Sequence, residues 1–245
     1  MILHGGPNIY GVVIGVLSLE TNFPKPPGHI KNPSSFNFPL VYKIVKGATV
    51  KRVLEPDEAL LQQFIQAAQE LEAEGVKAIT GSCGFLVLFQ RELANAVTIP
   101  VFTSSLIQVP LVHSMLGQNT KVGILTGNKS SLTKEYLAKV GADQIPIAIE
   151  GLEGQKEFRE VILEGKRPDL NIDKLRGEVL SAAKHLYATN PEIGALVLEC
   201  TDLSYFAPAI QAELSLPIFD LTSLTEMVYL AVVRKTHTGI MPKEL

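Results

Sequence analysis

Short apolar runs alternate along the chain with segments whose apolar residues recur at helical spacing. Because the runs are rich in β-branched residues, they are typical of buried parallel strands. The strands are predicted at residues 10–17, 39–45, 76–80, 99–102, 121–126, 146–149, 195–198 and 217–220. The helices are predicted at residues 56–74, 85–96, 106–116, 132–140, 155–164, 175–186, 203–213 and 224–234. Such an alternation predicts an α/β fold of two pseudo-symmetric lobes, each a mostly parallel sheet flanked by helices, with the active site in the cleft between them.

The only two cysteines of the chain lie at matching points of the two halves. A step of 117 residues separates Cys83 from Cys200 and also Pro100 from Pro217. Each cysteine follows a predicted strand and precedes a predicted helix, which places it at the sheet edge where ligands of open α/β folds bind. The dipole of a helix N-terminus favours negative charge there, so we expect it to lower the pKa of both thiols. Two facing thiols suit proton transfer at one carbon, although a free cysteine in such a place is often only a small buried residue.

Composition and charge exclude several classes of protein. The chain of 245 residues is 46% hydrophobic and 19% charged, and its formal net charge of −3 gives no reason to expect nucleic acid or an acidic membrane as partner. The first residues lack the features of a signal peptide, and two cysteines do not make a disulfide framework. The five histidines are scattered without metal-ligand spacing. We therefore expect a soluble cytoplasmic protein without a metal or another cofactor.

A segment rich in proline interrupts the pattern at residues 21–39. Its composition predicts a long irregular loop rather than a helix or strand. Loops of this length are often lids or binding loops, and a surface excursion without a role is an equally good interpretation.

The two cysteine segments resemble those of the aspartate/glutamate/hydantoin racemase superfamily. They read Gly-Ser-Cys-Gly-Phe at residues 81–85 and Leu-Glu-Cys-Thr-Asp-Leu at residues 198–203, and Pro-Val-Phe or Pro-Ile-Phe follows each. The resemblance implies a cofactor-independent racemase or epimerase of an amino acid or a related α-substituted carboxylic acid. Cys83 and Cys200 would be its acid/base pair, one as thiolate and the other as thiol.

The same resemblance implies a site for a small anionic substrate and a homo-oligomer. The residues that it assigns to substrate binding are Ser18, Ser82, Gly84, Phe85, Thr126, Ser130, Thr201 and Asp202. It also implies that the closing helix returns to the first lobe. The first lobe is then residues 1–105 plus 218–245, and the second is residues 106–217.

Three positions depart from glutamate racemases and argue against that activity. Those enzymes carry Asn-Thr where this chain has Gly84-Phe85, His where it has Asp202, and Asp-Ser where Leu17-Ser18 stands. The changes leave room for a bulkier or less polar substrate. Glu199, which alternates away from Cys200 along a strand, is expected to lie outside the proton path.

Two other functions stay open for this fold. One is a cis-trans isomerase similar to maleate isomerase, in which a cysteine forms a covalent adduct. The other is a protein that binds a small carboxylate without converting it. Decarboxylases of the superfamily use a single cysteine, so the presence of two counts against that activity.

Overall fold

The structure is a computed structural model that describes residues 2–7 and 9–239. Residues 240–245, which the sequence assigns to the first lobe, and residue 1 lie outside the described residues. None of the helices within the described ranges is both long and apolar enough to cross a membrane.

Two four-stranded parallel sheets form the framework of the described residues. The strands are β1 (Ile14–Ser18), β2 (Leu40–Ile44), β3 (Ala78–Gly81), β4 (Val101–Phe102), β5 (Lys121–Thr126), β6 (Ile147–Gly151), β7 (Ile193–Leu198) and β8 (Ile218–Phe219). Their order is β2-β1-β3-β4 in one sheet and β6-β5-β7-β8 in the other. The same order in both sheets, with every pair parallel, confirms the predicted α/β fold of two similar lobes.

Helices cover the faces of both sheets. They are α1 (Val50–Leu54), α2 (Glu58–Ala73), α3 (Gln90–Ala96), α4 (Val109–Met115), α5 (Lys134–Ala138), α6 (Lys156–Phe158), α7 (Ile172–Thr189), α8 (Ala207–Leu214) and α9 (Leu221–Val232). Four 3-10 helices lie at Pro33–Ser35, Gly84–Phe89, Ser105–Gln108 and Thr201–Phe206, and a π-helix at Arg159–Leu163 continues α6.

Helix α2 shows how local chemistry sets these bounds. The side chain of Asp57 accepts a hydrogen bond from the Leu60 N–H at 2.7 Å, which caps the first turn. Leu60 and Phe64, one helical turn apart, are fully buried and face the core. Gly75 has a φ of +97°, a left-handed conformation that ends a helix most easily at glycine.

Two predicted boundaries are wrong for local reasons. Strand β1 starts at Ile14 rather than residue 10, because Gly11 takes a φ of +87° and breaks the extended backbone. Helix α5 starts at Lys134 rather than residue 132, because the Ser131 N–H donates to Asn128 Oδ1 at 3.2 Å in a turn, and the helix begins only after Thr133.

The last strand pairs in the second sheet, whereas the last helix packs against the first sheet. Strand β8 pairs with β7 of the second sheet. Leu221 and Leu224 of α9 pack instead against Ile14 of the first sheet. The division of the chain into domains stays a prediction.

Candidate active site

Both cysteines line a single cavity at the carboxyl ends of the central strands. The cavity offers about 40 Å³ to the centres of water molecules. Since one water needs roughly 10–15 Å³ of such space, the cavity holds about three or four waters or one small substrate. The lining residues are Leu19, Thr21, Phe23, Lys25, His29, Lys31, Val50, Leu54, Ser82, Cys83, Gly84, Phe85, Gly127, Ile162, Leu163, Glu199, Cys200, Thr201 and Asp202.

The two cysteine turns are built alike and bonded to each other. Each cysteine has an extended backbone and directly precedes a six-residue 3-10 helix. The Thr201 hydroxyl donates to the carbonyl of Ser82 at 2.9 Å, and the Ser82 hydroxyl accepts from the Leu19 N–H at 2.8 Å. Ser82 and Thr201 both line the cavity. Their hydroxyl groups, which the sequence predicted as substrate contacts, form hydrogen bonds within the protein that fix the two turns.

Burial, rather than the helix N-terminus, controls the ionisation of Cys83. Burial raises the pKa of the thiol, and the Glu199 carboxyl adds to the rise. The Phe85 N–H, which hydrogen-bonds to the sulfur, opposes it only in part. The predicted lowering of the pKa is therefore wrong for Cys83, which is a neutral thiol at pH 7.

Cys200 donates to a carboxylate that His29 holds from the other side. Its Sγ lies 3.6 Å from Asp202 Oδ2, and His29 Nε2 lies 3.1 Å from Asp202 Oδ1. Because the Lys31 N–H donates to His29 Nδ1 at 2.8 Å, the ring proton sits on Nε2 and points at Asp202. Burial opposes the charge of Asp202, but contacts with His29 and Lys25 outweigh it and hold the pKa of Asp202 below its usual value.

The pKa of the Cys200 thiol is also raised, against the prediction from the sequence. Burial is the main cause, and the nearby charges of Asp202 and Glu199 add to it. Cys200 therefore rests as a thiol whose proton already has an acceptor in Asp202.

Glu199 lies in the cavity wall, so its predicted place outside the site is wrong. Its side chain is 1% exposed, and its Oε2 accepts from the Thr126 hydroxyl at 2.7 Å and from the Gly127 N–H at 3.4 Å. Burial raises the pKa of Glu199 to about 7, and these two donors oppose the rise.

The Glu199 carboxyl group occupies the space that a side chain at residue 84 would need. A Cβ at Gly84 would lie 2.7 Å from Glu199 Cδ and would overlap both Glu199 Oε1 and the carbonyl oxygen of Glu199. The departure from the racemase pattern at residue 84 is therefore the counterpart of the buried glutamate. This pairing across the two halves was not visible in either segment alone.

The proline-rich loop supplies the remaining charged groups of the cavity. Lys25 Nζ lies 3.1 Å from the ring centre of Phe23, and burial lowers the pKa of Lys25 to about 8. Lys31 Nζ donates to the carbonyl of Leu19 at 2.7 Å and to the Thr21 hydroxyl at 2.9 Å. Of the two interpretations of this loop, the structure favours a binding loop over a surface excursion.

Three residues assigned to substrate binding from the sequence do not line the cavity. The Ser18 hydroxyl is buried and donates to the carbonyl of Leu19. Thr126 is buried and acts only on Glu199. Ser130 is exposed and donates to Asn128 Oδ1 at 2.7 Å, because the chain turns outward after Gly127. Ser82, Gly84, Phe85, Thr201 and Asp202 do line the cavity, together with both cysteines.

Five residues that line the cavity are not identified by the sequence pattern: His29, Lys25, Lys31, Phe23 and Glu199. The sequence does contain a signal for Glu199. This glutamate directly follows the apolar run of β7, and a charged residue at the end of a buried strand needs polar partners or a polar cavity. The loop residues carried no periodic signal. Within residues 2–7 and 9–239, no group of three or more His, Cys, Asp or Glu side chains is placed to hold a metal ion.

Several proteins named dimethylsulfoniopropionate lyases match most of the chain, and two of them illustrate the similarity. A dimethylsulfoniopropionate lyase of Durusdinium sp. clade D is 31% identical over 224 residues, which cover 87% of this chain and 73% of the relative. Dimethylsulfoniopropionate lyase 7 of Emiliania huxleyi (strain CCMP1516) is 32% identical over 240 residues, or 93% of this chain and 69% of the relative. The chain belongs to the dimethylsulfoniopropionate lyase family. It is shorter than these proteins and spans 61% to 73% of the length of four of them.

Solved structures place this lyase family member in the racemase fold. Allantoin racemase from Klebsiella pneumoniae superposes with a TM-score of 0.59 at 12% identity, covering 91% of this chain and 90% of that one. Glutamate racemase from Francisella tularensis superposes with a TM-score of 0.54 at 20% identity, covering 93% and 85%. The resemblance to the aspartate/glutamate racemase superfamily is thus confirmed for the fold. No protein-family model matches the chain.

The comparisons correct the function that the sequence implied. The sequence implied a racemase or epimerase, and the alternatives were a cis-trans isomerase with a covalent cysteine adduct and a non-catalytic binding protein. The relatives are instead named lyases. Members of the dimethylsulfoniopropionate lyase family are enzymes, which agrees with the expected enzyme status. The expectation failed because one fold hosts enzymes of different reactions, so a resemblance in fold does not identify the reaction.

Proposed function

We propose that the protein is a dimethylsulfoniopropionate lyase that releases dimethyl sulfide and acrylate. The observation that carries the proposal is the family membership, at about 30% identity over most of the chain. The size and polarity of the cavity support it, since a small zwitterion needs both cationic and anionic groups nearby. Lys25, Lys31, Asp202 and Glu199 supply these groups.

The reaction is a β-elimination that needs a base and no cofactor. The base takes a proton from C2 of the substrate, the C2–H electron pair forms the C2=C3 double bond, and the C3–S bond breaks. Sulfur keeps the electron pair of the broken bond and leaves as neutral dimethyl sulfide. After acrylate departs, one proton passes from the base and its carboxylate partner to solvent, which restores the starting protonation of the site, so charge and atoms balance.

Cys200 is the base in this proposal, with Asp202 as the acceptor of its thiol proton. The thiol already donates to Asp202 at 3.6 Å, and His29 orients the other carboxylate oxygen. A bound sulfonium stabilises the thiolate: a charge at about 4 Å contributes about 4 kcal/mol in partly buried surroundings. Substrate binding thereby lowers the pKa of the Cys200 thiol from its raised value in the free protein.

Cys83 serves as a hydrogen-bond donor rather than as a second base. An elimination takes one proton away and returns none to carbon, so only one of the two thiols has to ionise. The burial and the Glu199 charge that raise the pKa of Cys83 keep it protonated. The ammonium groups of Lys25 and Lys31 would stabilise the charge that grows on the substrate carboxylate as C2 is deprotonated.

The test is the release of dimethyl sulfide from dimethylsulfoniopropionate, measured in the headspace by gas chromatography. We expect release by the purified protein and a fall in kcat/KM of about 10²–10⁴-fold for Cys200→Ser, since general-base catalysis contributes that much. Cys83→Ser keeps a donor and should lose less. Ser130→Ala, on the surface outside the cavity, is the matched control and should behave as the parent. No dimethyl sulfide from the parent protein would refute the proposal, and full activity of Cys200→Ser would refute the role of Cys200.

A further inference from the structure

One oxygen of the Glu199 carboxyl group is buried without a hydrogen-bond partner. Oε2 accepts from Thr126 and Gly127, whereas no group of the described residues donates to Oε1. A buried acceptor without a partner destabilises the folded state, because it has lost its hydrogen bonds to water. The proposed elimination does not use this oxygen, which lies against Gly84 in the wall of the cavity.

The other carboxylate of the cavity is fully engaged. Asp202 Oδ1 faces His29 and Oδ2 accepts from Cys200. Lys25 and Lys31 add positive charge on the same side, and both interact with Asp202. A cation in the substrate would find this side already neutralised.

The two lysines of the cavity therefore interact with one of its carboxylates and not with the other. Lys25 and Lys31 from the proline-rich loop interact with Asp202, whereas no cation of the described residues interacts with Glu199, which lies beside Gly84 and Gly127. The apolar side chains of Val50, Leu54 and Ile162 line the same space and suit methyl groups. A zwitterion fits with its carboxylate toward the lysines and its cationic head toward Glu199.

We propose that Glu199 is a specificity-determining residue that selects a methylated cationic group, the sulfonium, in the substrate. The inference rests on the proposed function for the identity of that cation. Gly84 belongs to the same device, because any side chain there would displace the Glu199 carboxyl group.

The selection depends on pH because Glu199 ionises near neutrality. The titratable groups that surround it are Cys83, Cys200, Asp202 and Tyr136. The raised pKa values of the two thiols and of Tyr136 keep these groups neutral near pH 7, and the lowered pKa of Asp202 keeps it ionised throughout. Glu199, whose pKa is about 7, gains its negative charge as the pH rises through that value. The preference for a cation should strengthen in the same direction.

Two unreactive ligands of the same shape test the inference without catalysis. In 3-(trimethylammonio)propionate the cationic head is kept but is a poor leaving group, and 4,4-dimethylpentanoate is its neutral counterpart. Binding of both is measured by isothermal titration calorimetry at pH 6 and pH 8.5. We expect the parent to prefer the cation at least tenfold at pH 8.5 and by a smaller factor at pH 6, whereas Glu199→Gln shows little preference at either pH.

Glu157→Gln is the matched control. Glu157 is also buried but binds Arg167 and the Asn171 N–H away from the cavity, so the parent preference should persist. Should Glu199→Gln not fold, Thr126→Val serves instead. Loss of the Thr126 hydrogen bond raises the pKa of Glu199, so the pH at which the preference appears should move upward.

Equal binding of the two ligands by the parent, or a preference unchanged in Glu199→Gln, overturns the inference. An unmoved pH dependence in Thr126→Val does the same. A parent that selects the cation but releases no dimethyl sulfide leaves the inference standing and refutes the lyase. A parent that releases dimethyl sulfide without selecting the cation refutes the inference alone.

Discussion

Glu199 gives the protein a pH dependence of stability that can be measured without any substrate. Its carboxyl group is 1% exposed, and burial raises its pKa from 4.5 to about 7 in the folded state. The folded state therefore holds a proton that the unfolded state has released. Stability from this source is complete below the unfolded value of 4.5 and is lost as the pH rises through 7.

The size of the loss follows from the same two values. A pKa that moves from 4.5 to about 7 on folding corresponds to on the order of 3 kcal/mol of stability. Glu199→Gln removes the titrating group while keeping nearly the same shape. We expect its free energy of unfolding, relative to the parent, to improve by that amount between pH 5 and pH 8.5.

Urea denaturation at several pH values between 5 and 8.5 measures the difference directly. The control is Glu157→Gln, because Arg167 and the Asn171 N–H outweigh burial and lower the pKa of Glu157. A group with a lowered pKa contributes its stability above the unfolded value, so the difference between this control and the parent should stay constant over the range. A difference between parent and Glu199→Gln that is also flat would refute the reasoning.

Two further variants test the contacts around the cavity. Gly84→Ala forces a Cβ to within 2.7 Å of Glu199 Cδ and should lower the free energy of unfolding by about 1–3 kcal/mol in chemical denaturation. The control is Gly177→Ala, in open space on α7, which should instead raise the free energy of unfolding by about 0.5–1 kcal/mol. Similar results for the two variants would contradict the account. Asp202→Asn leaves the Cys200 proton without a basic acceptor, so dimethyl sulfide release should fall by about 10²–10⁴-fold. Parent-like release by this variant would rule out Asp202 as the proton acceptor.

The sequence predicts the fold well because parallel strands and their helices leave periodic signals. The repeat around Cys83 and Cys200 also predicted that both would reach one place, and both line the same cavity. The strands end within a few residues of their predicted bounds, whereas short helices such as α1 were missed because five residues carry little periodicity.

The chemistry of the site was harder to predict, since it depends on contacts between distant segments. Gly84 looks like an ordinary turn glycine until Glu199, on the other lobe, occupies the space beside it. In the sequence His29 has no spacing that relates it to another site residue, and only the folded proline-rich loop places it against Asp202. Burial also reversed the expected ionisation of both thiols, and no spacing along the chain reports burial of this kind.

The most direct measurement of the central claim follows dimethylsulfoniopropionate carrying deuterium at C2 by proton NMR. We expect the C3 vinyl signals of acrylate that keeps one deuterium at C2, the methyl signal of dimethyl sulfide, and a slower rate than with the unlabelled substrate. Products that lack the vinyl signals, such as 3-hydroxypropionate alone, would contradict the account, as would loss of deuterium from C2 of recovered substrate without formation of acrylate.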